Sequence, residues 1–403
     1  MTIYLDHAAA TPLRGEVLER MMPYLTGLQG NPSSPHSAGR QARHALDEAH
    51  DAVAAALRGD PREVVFTSGG TESINLAIKG AAWAGKAIGN RIVTTAVEHR
   101  AVLDACASLE KFGFEIVRLP VDRFGRVDPD ALDEALTDRT CLVSLQLANN
   151  EVGTITDLAP LVQRVRNAGR ALIHVDAVQA APSMIVDSRA LGVDLISVAG
   201  HKLEGPKGIG VMWLRRGTAI LPQVHGGSQE RHRRAGTENV AGAVGMATAW
   251  QLTESERSHT VEVTRSRRDR LAAGVLGIDG VQLTGHPRDR LPGLLSVIVG
   301  EIDGASLVHA LDLEGLCCST GSACTTGSTE PSHVLTAMGR SADEARGALR
   351  LSLGRTTSDA DVDLAMALIS AVIERQRAGA ASEPAAWSAT GLVQSARSEA
   401  SVA

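Results

Sequence analysis

From Glu63 onward the chain repeats one pattern: a short apolar run, a polar turn, then apolar residues at helical spacing. Residues 64–66, 91–95, 114–118, 141–147, 171–175, 195–198 and 209–214 form the apolar runs. Helices are predicted over 72–84 and 100–111, and around Leu158, Leu161, Val162 and Val165. Strands that alternate with helices build an α/β fold with a mostly parallel sheet. Ligands of such sheets sit beyond the carboxyl ends of the strands. Gly70, Thr71, His99, Asn150, Asp176, Gln179 and Lys202 all fall just past those ends. One pattern therefore predicts both the sheet and the place where chemistry gathers.

A chain of 403 residues is too long for one ordinary core. Two domains are expected, a large one over 15–258 and a small α+β one from 1–14 and 259–377. Residues 378–403, rich in Ala, Ser and Glu, are read as a loose tail. A helix is predicted over 40–58, an Ala-rich helix over 240–252, and a separate charged helix over 253–272 that leaves the first domain. The net charge of −6, with no basic block, points away from nucleic acid. No apolar run approaches ~18 residues, so no membrane span is expected. The start, M-T-I-Y-L-D-H, does not read as a signal peptide. Five irregularly spaced cysteines argue for a reducing compartment, hence a cytoplasmic location.

The stretch from Asp194 to Val211 presents His201 and Lys202 on a turn between two apolar runs. A lysine so placed is partly desolvated, which lowers the pKa of an amine and makes it a nucleophile toward aldehydes. A solvated loop lysine is the other reading of that stretch. The lysines are Lys79, Lys86, Lys111, Lys202 and Lys207, so the search for a reactive amine is short. The Gly-rich turn from Thr67 to Ser73 opens a helix, which favours a bound phosphate; a plain cap by Ser68 or Thr71 explains it equally. An aspartate for a pyridinium nitrogen, a lysine for an aldehyde and a helix N-terminus for a phosphate are the three handles of pyridoxal phosphate. Aromatics are only 2% of the chain, so His99 is the candidate to stack on the ring.

Four motifs carry a family resemblance: H-V-D-A-V-Q at 174–179, S-V-A-G-H-K-L-E-G-P-K-G-I-G at 197–210, G-G-S-Q-E-R-H-R-R-A-G-T-E-N at 226–239 and S-T-G-S-A-C at 319–324. In this order they resemble the cysteine desulfurases of the class V aminotransferase group, over about residues 3–375. The resemblance implies the fold of the type I pyridoxal phosphate enzymes. It implies that Lys202 carries the cofactor aldehyde and moves protons, that Asp176 pairs with the ring nitrogen and Gln179 with the ring hydroxyl. It implies that His99 stacks on the ring and assists proton transfer. Gly70, Thr71 and His201 would bind the phosphate, with Thr237 supplied by the second subunit of a homodimer. Asn150 would lie near cofactor and substrate, and Arg350 would clamp the carboxylate of L-cysteine. Cys324 would take the substrate sulfur as a persulfide, leaving L-alanine, and pass it to an acceptor protein. The stretch from Thr325 to Ser332 lacks a bulky apolar residue, which suits a loop that carries sulfur. The alternatives are a selenocysteine lyase of the same fold and a non-catalytic sulfur carrier. Two residues depart from the family pattern: Ala199 and Ala235 stand where serines are usual.

Overall fold

The computed structural model describes residues 2–321 and 330–382; Cys324 and most of the Thr325–Ser332 stretch lie outside the described residues. The strands in chain order are β1 Ile3–Tyr4, β2 Val64–Thr67, β3 Arg91–Thr95, β4 Glu115–Leu119, β5 Thr140–Gln146, β6 Leu172–Asp176, β7 Leu195–Ala199, β8 Gly210–Leu214, β9 Val281–Leu283, β10 Leu294–Val299, β11 Leu316–Cys317 and β12 Ala348–Ser352.

A seven-stranded sheet runs in the order β2-β8-β7-β6-β5-β3-β4. Its five strands from β7 to β4 are parallel; β8 runs antiparallel to both β7 and β2. The strands are apolar on both sides because helices cover both sides. Alternate residues serve the two faces. Val143, Ile173, Ile196 and Val211 enter one cluster with the helices Ser37–Ala56 and Leu158–Ala168. Leu142, Leu195 and Met212 enter another with the helices Gly70–Ala84 and Arg100–Glu110.

A third cluster gathers Ile3, Leu5, Leu271, Val297, Leu351 and Ile369 around the antiparallel sheet β12-β10-β9. There β1 pairs in parallel with β11, so the N-terminal strand completes a core built otherwise from the last third of the chain.

The 240–252 and 253–272 helices are one helix, Val240–Leu276, of 37 residues. Its Ala-rich start packs in the first core through Ala243 and Trp250, and its end packs in the third through Leu271 and Val275. A shift from apolar to charged residues resembled an ending, but no Gly or Pro lies between Gly245 and Gly274 to break the helix. The last helix, Asp359–Ser382, runs past the expected end of the small domain at 377. The 40–58 helix starts earlier, at Ser37, where His36 Nδ1 accepts from the Gly39 N–H.

Candidate active site

The carboxyl ends of the parallel strands open into a cavity of about 590 Å³. Gly70, Thr71, His99, Asn150, Asp176, Gln179, His201, Lys202 and Arg350 all line it. Nine of the residues singled out in the sequence therefore meet in one place. Thr237 does not line this cavity and is exposed, and Cys324 is outside the described residues.

The helix Gly70–Ala84 begins at the cavity wall, and no side chain caps it. The Ser68 N–H is instead bonded to Glu72 Oε2 at 2.7 Å, so a cap by Ser68 or Thr71 is not what the turn provides. A Cβ added at Gly70 would stand 3.1 Å from Val178 and 3.3 Å from Ala199. Glycine thus leaves the backbone bare where a phosphate would approach, beside an uncapped helix N-terminus that favours negative charge. His201 adds a ring whose pKa is lowered to about 4 by burial and then by Lys202 and Lys207. It is neutral at pH 7 and keeps one N–H to donate.

Asp176 ends β6 and is buried. Burial raises its pKa, opposed by His99, by the Val178 N–H at 2.9 Å and by Lys202. A carboxylate held there gains from a cationic partner, which the protonated nitrogen of a pyridine ring supplies. Beneath it, fully buried His174 is bonded to Ser144 Oγ at 2.8 Å and Ser197 Oγ at 2.9 Å. Ser197 is thereby committed inside the sheet and cannot take over from a serine at position 199. His99 caps the helix Arg100–Glu110 by accepting from the Ala101 N–H at 3.1 Å through Nδ1. In the neutral ring the proton then sits on Nε2.

Lys202 Nζ donates to the carbonyl oxygens of Ala8 and Ala9, and Gln179 Nε2 donates to Ala8 O at 2.9 Å. The segment that follows β1 thus forms one wall of the site. Arg350, on β12, is 2% exposed and reaches the Asn150 carbonyl oxygen at 3.0 Å. The three-stranded sheet in this way supplies a cation to a cavity at the strand ends of the seven-stranded sheet.

Several lining or supporting residues were not singled out in the sequence. Glu98 is fully buried behind His99, and its Oε1 accepts from Thr95 Oγ1 and the Gln146 N–H, both at 2.9 Å. Its signal was an acid at a strand end, next to a histidine already chosen. Glu151 accepts from Ser332 Oγ at 2.5 Å, and His333 Nε2 is bonded to the Glu98 carbonyl at 3.0 Å. Among the described cysteines, Cys106, Cys141, Cys317 and Cys318, none lines the cavity. Burial pushes the thiols of Cys106 and Cys318 up to about 12 and that of Cys141 to about 11. Such thiols stay protonated and are poor nucleophiles.

The profile of the family Aminotransferase class-V matches residues 3–365. The chain belongs to the class V aminotransferase family. Among its class V relatives is the "Cysteine desulfurase IscS" of Methanosarcina thermophila, 45% identical over 375 residues that cover 93% of each chain. The IscS of Dictyoglomus turgidum is 46% identical, over 93% of this chain and 95% of that one. Among solved structures, a NifS-like protein superposes with a TM-score of 0.87 at 35% identity, covering 94% of this chain and all of the other. DndA from Streptomyces lividans gives a TM-score of 0.74 at 34% identity, over 87% and 99% of the two chains. Pyridoxal phosphate is the cofactor of this class V chain, and the uncapped helix, the buried Asp176 and the inward Lys202 fit its three handles.

Proposed function

We propose that the protein is a cysteine desulfurase that converts L-cysteine to L-alanine and takes the sulfur as a persulfide on Cys324. The observation that carries this reading is the meeting of Lys202, Asp176, His99 and Arg350 around one cavity, in a chain whose relatives bear that name.

Pyridoxal phosphate, when bound, supplies an aldehyde for an amine and a ring that accepts electrons from the amino acid. Gly70, Thr71 and His201 would hold its phosphate, Asp176 its ring nitrogen, Gln179 its ring hydroxyl, and His99 its face. Arg350 holds the α-carboxylate of L-cysteine, because a guanidinium offers a fork to two oxygens. Lys202 Nζ takes the proton from the α-carbon and returns one. Asn150 lines the same cavity. The Cys324 thiolate attacks the substrate sulfur. The new S–S bond forms as the C–S bond breaks, the electron pair stays with carbon, and protonation there gives alanine. Burial keeps the thiols of Cys106, Cys141 and Cys318 protonated, and none of the described cysteines lines the cavity.

The finer reading is a homodimer in which Thr237 of each subunit completes the phosphate site of the other. Thr237 is exposed and away from the cavity of its own chain, and Leu221 and Val224 nearby in sequence are 49% and 42% exposed. Exposed apolar side chains of this kind suit an interface. The persulfide would pass to an acceptor protein in the cytoplasm. No helix among the described residues is long and apolar enough to cross a membrane.

The test is release of alanine from L-cysteine by the purified holoenzyme with a thiol reductant present. Stoichiometric alanine and sulfide are expected. A yellow, cofactor-loaded protein that releases neither would overturn the reading.

A further inference from the structure

Arg350 is almost wholly buried, and its donors are largely spoken for. Nη1 donates to the carbonyl oxygens of Asn150 at 3.0 Å and Gly321 at 3.1 Å. Nη2 donates to Asp6 Oδ1 at 2.8 Å. Nε has no hydrogen-bond partner among the described residues. Of the five N–H groups, two are on carbonyls and one is on Asp6, which leaves Nε–H and the second Nη2–H. A carboxylate that reaches Arg350 therefore meets a guanidinium already shared with Asp6.

The main chain at Asp6 is anchored. Its residue bridges to Ser352, and its carbonyl oxygen accepts from the N–H groups of Ala9 and Ala10 at 3.0 and 3.3 Å. The main chain thus presents the Asp6 carboxylate 2.8 Å from the arginine that the proposed function gives to the substrate.

We propose that Asp6 is a built-in carboxylate that limits how tightly Arg350 grips the α-carboxylate of an amino acid. This rests on the assignment of Arg350 to that carboxylate. A buried arginine needs a counter-charge, and Asp6 supplies it when no amino acid is present. An arriving carboxylate then shares the guanidinium with a like charge a few ångströms away, which disfavours it. L-Cysteine and L-alanine carry the same carboxylate, so this weakening acts equally on substrate and product. Binding both tightly lowers KM without speeding the chemistry. A tempered grip lets alanine leave.

The experiment compares wild type, Asp6→Asn and Asp6→Ser as holoenzymes. L-Alanine binding is measured by equilibrium dialysis, with ethylamine as the carboxylate-free control, and thermal melting is followed without ligand. Asparagine still accepts from Nη2 but carries no charge. Asp6→Asn is expected to bind L-alanine about fivefold more tightly, the size of one modest charge interaction. Its ethylamine binding should be unchanged, and its melting temperature without ligand lower. Should Asp6→Asn not fold, Asp6→Ser carries the same expectation. Unchanged or weaker alanine binding in a folded variant would overturn the inference and leave the proposed function standing. A wild type that binds L-alanine no better than ethylamine would remove the Arg350 assignment, and the inference with it.

Discussion

Lys202 Nζ donates to the carbonyl oxygen of Ala9 at 2.7 Å, so the reactive amine rests on the segment that follows the first strand. That segment is anchored on one side by Ile3 and Leu5 in the third core and on the other by Thr11, whose Oγ1 donates to His201 O at 2.7 Å. The amine thus rests on a segment anchored at both ends, and its removal should cost chemistry rather than folding.

Lys202→Ala is expected to lower alanine formation by about 10³-fold or more, the scale of losing a positioned proton-transfer group. Borohydride should fix the cofactor to wild type and not to the variant, while pyridoxal phosphate still binds through the phosphate and ring contacts. Circular dichroism should be unchanged. Fixation to the variant would assign the amine elsewhere, to Lys207 first.

Ala199 ends β7, is fully buried and lines the cavity beside Gly70. A hydroxyl there adds a hydrogen bond to a charged acceptor, worth about 1.5–3 kcal/mol. Ala199→Ser is expected to lower the Kd for pyridoxal phosphate about tenfold in a fluorescence titration of the apoprotein. An unchanged Kd would show that the phosphate does not reach this wall. Ala235 is different: it is buried against Gly226 and does not line the cavity, so no gain is expected from a serine there in the single chain.

Glu98 has its pKa raised to about 8, first by burial and then by the Asp176 carboxylate. In the unfolded chain it titrates near 4.5. Between those values the folded protein keeps a proton that the unfolded chain has lost. Stability therefore falls as pH rises through that window, by up to about 1.4 kcal/mol per unit. Glu98→Gln keeps an acceptor for Thr95 and Gln146 but has no proton to lose. Denaturant melts of the apoprotein from pH 5 to pH 8 should show a shallower decline for the variant than for wild type. Parallel curves would mean that Glu98 is ionised in the folded protein.

The fold was legible where apolar runs were long and bounded. The runs that became β2 to β8 were each read within about two residues, because strands covered on both faces are mostly apolar along their length. Direction was not legible: nothing in Ile209 to Leu214 distinguishes an antiparallel strand from a parallel one. Val281–Leu283 was missed because three residues make no periodic signal, and Pro129–Ala135 because seven residues give too few turns. In the site, Asp176 and Lys202 could be argued from position alone, as polar residues just past apolar runs. Arg350 rested on the resemblance, since it sits inside β12 and looks like one more alternation of a half-buried strand. Asp6 and Glu98 were passed over because an acid beside a strand is ordinary on a surface. Only packing reveals that one faces a buried guanidinium and the other faces no water.

The central claim is that substrate sulfur ends on Cys324. Wild type and Cys324→Ala holoenzymes should be mixed with L-cysteine without reductant, desalted, digested and measured by mass spectrometry. The claim predicts that the wild-type peptide carrying Cys324 gains the mass of one sulfur atom, released by dithiothreitol, while the variant gains none on any peptide and forms no alanine. A sulfur adduct on Cys317 or Cys318, or alanine formed by Cys324→Ala at the wild-type rate, would contradict it.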